Sequence, residues 1–311
     1  MKTIYKWIFM YMENGKARDR SPHKLVRIYY VFWYYLSRLV ENILVRIIPN
    51  RLCVLNRDER GERIVASLTS YPGRIGVVEY SIKSILLQTI PPHRIILWLA
   101  NSQFPGRKLP KSLSNYIRHG LEVRWVNDLR SHKKYHYVLQ EQESNEVVIT
   151  FDDDIIYHPL TIEHALRKHA EYPNAVVANM MMKIGHKNGN VVPFRQWQMI
   201  QPGVHCPRTD YALLTGSGCL YPFGVMPKET FDWDEACRMA KTCDDLWITF
   251  MTKLYNVPVC PTDYTSPDFC TSYGSQATHL AKDNMLNDGN DKCVALFVKE
   301  HPEIVSYMLV K

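Results

Sequence analysis

The 311-residue chain has no C-x-x-C pair, and its eight cysteines (Cys53, Cys206, Cys219, Cys237, Cys243, Cys260, Cys270 and Cys293) form no tight framework. That spacing argues against a small secreted disulfide scaffold and against a zinc ribbon. The cysteines read instead as reduced, mostly buried small apolar residues, which points to a cytosolic compartment. No G-x-x-x-x-G-K-[ST], H-E-x-x-H or G-x-S-x-G occurs, so P-loop, zinc-protease and nucleophile-elbow chemistries lack their signatures. A long apolar run is also missing. The longest uncharged stretch between Leu25 and Ile48 runs only from Ile28 to Ser37, well short of the roughly 20 residues of a spanning helix. Residues 2–12 carry Lys2 and Lys6 among apolar residues and have no small-residue cleavage site, so no export leader is expected. Finally, most of the chain has no charge excess. The net charge of +7 arises in the first 63 residues, with 13 Lys/Arg against 6 Asp/Glu, while the rest balances at 25 against 25. A basic groove across the body is therefore not encoded, and no nucleic-acid partner is expected.

What is present is a globular composition, 46% hydrophobic and 22% charged. Residues 1–60 read as a basic amphipathic segment and 61–311 as a catalytic domain. At 100° per residue, Leu25, Ile28, Tyr29, Phe32, Leu36, Leu39, Val40, Ile43 and Ile47 gather on one side of a helix. Arg27, Ser37, Arg38, Glu41, Asn42 and Arg46 lie opposite. With Arg18, Arg20, Lys24 and Arg27 leading in, the apolar face suits a membrane surface, with packing on the catalytic body or on a partner subunit as the alternative.

From Ile64 the pattern becomes strand, loop and crossover helix. Strands are expected at Ile64–Thr69, Arg94–Leu99, Leu121–Val126 and Val147–Phe151, with helices at Val77–Gln88 and Lys133–Glu143. This alternation predicts a mostly parallel α/β sheet covered on both faces, with ligands beyond the carboxyl ends of the strands. The residues there are Thr69-Ser70-Tyr71-Pro72-Gly73-Arg74, Asn127-Asp128, Ser131-His132-Lys133-Lys134 and Asp152-Asp153-Asp154. Three adjacent aspartates repel one another and have poor strand propensity. In an extended segment Asp152 and Asp154 would face the same way, able to hold one Mg²⁺ or Mn²⁺ by hard oxygen ligands, with Asp153 facing elsewhere. A solvated acidic turn ahead of a helix near Thr161 is the plainer alternative.

These residues resemble bacterial glycosyltransferases of the GT-A fold, close to the family 2 type. The likeness rests on Ala66-Ser67-Leu68-Thr69-Ser70-Tyr71-Pro72 with Arg74, Leu86-Leu87-Gln88-Thr89, Ile95-Ile96-Leu97-Trp98-Leu99 and Ile149-Thr150-Phe151-Asp152-Asp153-Asp154-Ile155-Ile156-Tyr157. Further on, Thr215-Gly216-Ser217-Gly218-Cys219-Leu220-Tyr221-Pro222 and Asp244-Asp245-Leu246-Trp247 are similar to that family's acceptor-side strand and acidic catalytic motif. The resemblance implies a nucleotide diphosphate sugar donor, usually carrying uridine. Thr69, Tyr71, Arg74 and Asp128 would surround base and ribose, with Lys133 or Lys134 near the phosphates. It implies Asp245 as the base, with Asp244 the close second, in an inverting transfer to a saccharide or glycolipid acceptor. His279 is the candidate third metal ligand beside Asp152 and Asp154. Gly216, Ser217 and Gly218 would admit the donor sugar, and Trp197 and Trp233 are apolar platforms or core residues. A membrane surface at the cytoplasmic face of the inner membrane is the expected location, and oligomers stay open. The rival readings are a metal-dependent phosphotransferase or hydrolase on the same carboxylates, and a catalytically inactive binding protein of the same fold.

Overall fold

A computed structural model of the chain describes residues 2–13, 24–58, 60–264, 270–275 and 288–308, so His279 lies outside the described residues. Two helices, α1 (Lys2–Glu13) and α2 (Lys24–Ile47), precede the sheet. The first half of the body is β1 (Arg63–Thr69), α3 (Val78–Leu86), β2 (Arg94–Ala100), α4 (Leu113–Arg118), β3 (Leu121–Val126), α5 (Lys133–Gln140) and β4 (Glu146–Phe151). Every strand and helix read from the pattern is thus present, with ends shifted by up to three residues. Next come β5 (Ile155–Ile156), α6 (Thr161–Glu171), β6 (Val176–Ala178), β7 (Met181–Lys183), β8 (His186–Lys187), β9 (Asn190–Val191), β10 (Gln198–Met199), β11 (Tyr211–Leu213) and β12 (Ser217–Tyr221). The chain closes with α7 (Trp233–Ala240), α8 (Asp244–Leu254), β13 (Val259–Pro261), β14 (Cys270–Thr271), α9 (Gly289–Glu300) and α10 (Glu303–Met308).

Seven strands form the main sheet in the order β13-β6-β12-β4-β1-β2-β3. All neighbours run parallel except β12, which is antiparallel to both β4 and β6. The two-residue side-chain alternation of these strands feeds two separate cores. Val65, Ile96, Trp98 and Val148 face a layer built with α5, α7 and α8. Ile64, Ala66, Leu68, Ile95, Leu97, Val147 and Ile149 face one built with α3 and α4. Burial on both faces explains why β1, β2 and β4 read as continuous apolar runs.

Helix α2 is packed the opposite way from an ordinary amphipathic helix. Its polar side meets the body: Ser37, Glu41 and Asn42 are buried. Asn42 Nδ2 donates to Thr271 O at 3.1 Å and Asn42 Oδ1 accepts from Tyr273 N at 2.8 Å. Arg46 donates to Tyr273 O at 2.9 Å, and Arg38 donates to the Thr271 hydroxyl. Of its apolar side, Leu25, Ile28, Tyr29, Phe32, Leu39, Ile43 and Ile47 are exposed among the described residues, while Leu36 and Val40 are half-buried.

Candidate functional site

From β1 the chain order runs outward through β2 and β3, whereas β4 lies on the other side of β1, so the order reverses between β1 and β4. A crevice opens at such a reversal, beyond the strand ends. Leu68 and Phe151 pair there, which brings the 70–74 loop beside the aspartate triplet. The triplet is not extended. Strand β4 stops at Phe151 and the chain turns before β5, so the expected alternation of Asp152 and Asp154 does not operate. Asp153 is buried, accepting from Ser70 Oγ at 2.6 Å and from Arg74 Nη1 at 3.0 Å. The same Arg74 nitrogen lies 3.1 Å from Asp154 Oδ2. Asp152 turns to the other wall, where Lys134 Nζ stands 2.7 Å from its Oδ1.

Lys134 is the hub of the site. It sits in the first turn of α5, is buried, and also reaches Asp244 Oδ2 at 2.9 Å. Burial alone would lower its pKa; Asp152, Asp244 and Asp245 outweigh that and hold it well above the usual lysine range. Asp244 is likewise penalised by burial, but Lys134 and then His132 keep it below the usual carboxylate range. Its neighbour Asp245 goes the other way. Burial first, and the charge of Asp244 second, push it up to about 7. Asp245 Oδ1 accepts from Thr215 N at 2.7 Å and from Thr215 Oγ1 at 2.6 Å, so its position is fixed while it stays partly exposed. The two adjacent carboxyls are thus shifted in opposite directions, Asp244 toward the anion and Asp245 toward neutrality. On the opposite wall Asp154 is also pushed up, to about 7, by burial and by its acidic neighbours against the pull of Arg74.

Gly216 has a reason to be glycine. A Cβ there would lie 1.9 Å from Asp152 Oδ2, so the carboxylate occupies the space a side chain would need. Gly218 has φ +81°, and its Cβ would meet Thr161 Cγ2 at 2.6 Å. Ser217 is buried, its hydroxyl accepting from Met180 N at 3.2 Å.

Other expected members sit differently. Asp128 follows the edge strand β3 and binds Lys133 Nζ at 2.9 Å and Gln103 Nε2 at 2.9 Å. Lys133 is therefore spent on Asp128, and Lys134 is the one of the two that reaches the triplet. The Thr69 hydroxyl donates to Trp98 O at 2.8 Å, and the Tyr71 ring lies 5.7 Å from the Arg74 guanidinium carbon. Trp197 is not a platform: it is buried in the core, and its indole nitrogen donates to Val192 O at 3.0 Å. Trp233 is half-buried, edge-on to His132 at 5.4 Å. Three residues that sequence reasoning gave no role complete the site: Ser70, Thr215 and Tyr157. The Tyr157 hydroxyl accepts from Asp152 N at 2.6 Å and donates to Gly216 O at 2.6 Å, pinning the triplet to the glycine loop. Each lies beside or within a quoted motif, which is the only signal that could have marked it.

Among the described residues no three His, Cys, Asp or Glu side chains stand together as a protein-only metal cage. Asp152 and Asp154 offer hard oxygen ligands of the kind a divalent cation takes one or two at a time, completing its shell with water and substrate phosphates, although here Lys134 and Arg74 hold them on opposite walls.

No protein-family profile and no curated protein matches the chain. Similar solved structures include a mannosyltransferase, PcManGT, from Pyrobaculum calidifontis with GDP-Man and Mn²⁺, at 12% identity and TM-score 0.32. That match covers 56% of this chain and 46% of the other. A 4-diphosphocytidyl-2C-methyl-D-erythritol synthase matches at 9% identity and TM-score 0.43 over 76% of this chain and 100% of that one. GalNAc-T7 with UDP, GalNAc and Mn²⁺ matches at 10% identity and TM-score 0.48, over 86% of this chain and 56% of that one. This chain thus spans about half the length of the first and third. Likeness at these scores says nothing about its chemistry.

Proposed function

We propose that the chain is a glycosyltransferase of the GT-A fold, moving a sugar from a nucleotide diphosphate donor, a uridine one in particular, to a saccharide or glycolipid acceptor at the cytoplasmic face of the inner membrane. The observation that carries this reading is the geometry at the strand-order reversal, where Lys134 bridges Asp152 of the triplet and Asp244, and Thr215 holds Asp245 beside them. A carboxyl poised near neutrality is what a general base for a sugar hydroxyl requires. Asp245 takes the proton as the hydroxyl oxygen attacks the anomeric carbon and the bond to the diphosphate breaks. Thr215 holds Asp245 in place, and ionised Asp244 keeps it basic. Lys134 and Arg74 set cations on the two walls where negative charge builds on the leaving diphosphate. Asp152 and Asp154 would hold a Mn²⁺ or Mg²⁺, which would supply Lewis-acid stabilisation of that leaving group.

Calorimetry with uridine diphosphate sugars, with Mn²⁺ and with excess chelator, tests the reading, together with release of free sugar. Binding that strengthens with Mn²⁺ and slow donor hydrolysis are expected. Equal affinity in Mn²⁺ and in chelator overturns the metal assignment; cleavage of phosphate esters without sugar release favours a phosphotransferase or hydrolase.

A further inference from the structure

We infer that the outward face of α2 is a docking surface for an anionic lipid bilayer. It does not rest on the transfer reaction. The residues that turn outward are the large ones: Leu25, Phe32, Tyr35 and Ile47 are 81%, 61%, 66% and 67% exposed. Their spacing follows the turns of the helix over its whole length, so the exposure is one continuous stripe rather than scattered apolar residues. Helix α1 packs by apolar residues instead, yet it too turns large ones outward, Ile4 being 61% exposed. Tyr5 and Phe9 are buried, with Phe9 edge-on to His158 at 6.1 Å, while Trp7 is 66% exposed.

An ordinary surface helix buries this stripe and shows its charges to water. Here the polar side is committed to the body through Asn42 and Arg46, so the helix cannot roll its apolar side inward without breaking those bonds. Something outside the described chain must cover it. Charge decides between candidates. In the sequence, Lys16, Arg18 and Arg20, which lie outside the described residues, lead into Lys24 and Arg27 of α2, and Asp19 is the one acid between residues 14 and 40. A two-fold contact between copies of this face would bring those cations together, whereas anionic headgroups neutralise them. Aromatic rings with polar edges, as in Tyr29, Trp33 and Tyr35, suit the headgroup boundary. No described helix is long and apolar enough to cross a membrane, so the contact is a surface one.

The other side of α2 gives the docking a consequence. Thr271 and Tyr273, which α2 holds, flank Ser272, whose N–H donates to Asp154 O at 2.7 Å. Strand β14 pairs with β5, immediately after the triplet. One helix width and one strand spacing separate the lipid surface from the aspartates, on the order of 15 Å. An acceptor whose head projects from the bilayer would meet the crevice without leaving the membrane.

The test is co-sedimentation of the full chain with unilamellar vesicles of phosphatidylcholine, with and without roughly one third phosphatidylglycerol. Wild-type protein is expected to sediment with the anionic vesicles and much less with the neutral ones. Phe32→Glu/Tyr35→Glu and, separately, Leu25→Ser/Ile28→Ser should each weaken anionic-vesicle binding by about tenfold or more. Val204→Glu, at an apolar residue 93% exposed elsewhere, should bind as the wild type does. Thermal melts confirm that the variants are folded, and light scattering without lipid gives the oligomeric state. Unchanged vesicle binding in both pairs overturns the inference. So does a lipid-free dimer that dissociates in the same variants, because a second copy would then be the occupant.

Discussion

Lys134→Met should be the most informative single change in the site. Its ammonium is 3% exposed and sits between Asp244, 10% exposed, and Asp152, 40% exposed. The Asp152 arm is wet enough to contribute only about 0–1 kcal/mol. The Asp244 arm is dry, and removing one partner of such a pair costs about 3–5 kcal/mol because the remaining charge is buried alone. A total loss of about 3–5 kcal/mol near pH 7 is expected in urea unfolding. The pH dependence identifies the cause. In the wild type the folded pKa of Asp244 lies below its unfolded value, so its stabilisation is present above the unfolded pKa and lost as pH falls through the folded one. In the variant, burial raises that pKa and Asp244 protonates on folding. The gap between the two stability curves should then be widest at neutral pH and narrow towards about pH 4. The double variant Lys134→Met/Asp244→Asn should recover at least about 2 kcal/mol of the loss. A loss under about 1 kcal/mol, or one that neither changes with pH nor recovers in the double variant, refutes the hub role of Lys134.

Asp245→Asn should lower turnover by about 10²- to 10⁴-fold with donor affinity nearly unchanged, whereas Asp154→Asn should weaken donor affinity. As the proposed base, Asp245 would act ionised and is pushed up to about 7, so wild-type turnover should rise with pH through about 7, and the Asp245→Asn variant should lose that limb. Gly216→Ala places a Cβ 1.9 Å from Asp152 Oδ2, so calorimetry should show donor affinity weakened by about tenfold or more through displacement of that carboxylate. Burial, opposed by Asp210, lowers the buried Lys253 to about 7, so the unfolded chain binds the extra proton above that pH. Stability should therefore climb with pH between about 7 and 10. Lys253→Met should flatten that slope in urea titrations at stepped pH.

The sequence by itself determined the sheet and the address of the site. Runs such as Ile95-Ile96-Leu97-Trp98-Leu99 are apolar on both faces, which only a strand covered by helices on both sides tolerates, and the polar residues that end β1 and β4 had to gather at one edge. The division of α2 into an apolar and a polar side was also legible, since it needs only the helical period. Which side met the body was not, because Thr271 and Tyr273 lie more than 225 residues further along and the hydrogen bonds to them exist only once the chain is folded. The same holds inside the crevice. Lys133 and Lys134 are equivalent as letters, but the start of α5 sends one to Asp128 and the other between Asp152 and Asp244. Trp197 reads as a sugar platform or a core residue with equal ease until packing supplies its indole nitrogen with a carbonyl. The opposite pKa shifts of Asp244 and Asp245 were least legible of all. Adjacent and chemically alike, and both accepting from the Thr215 hydroxyl, they differ because Lys134 stands against Asp244 while burial and the Asp244 charge act on Asp245, and tertiary structure alone decides that.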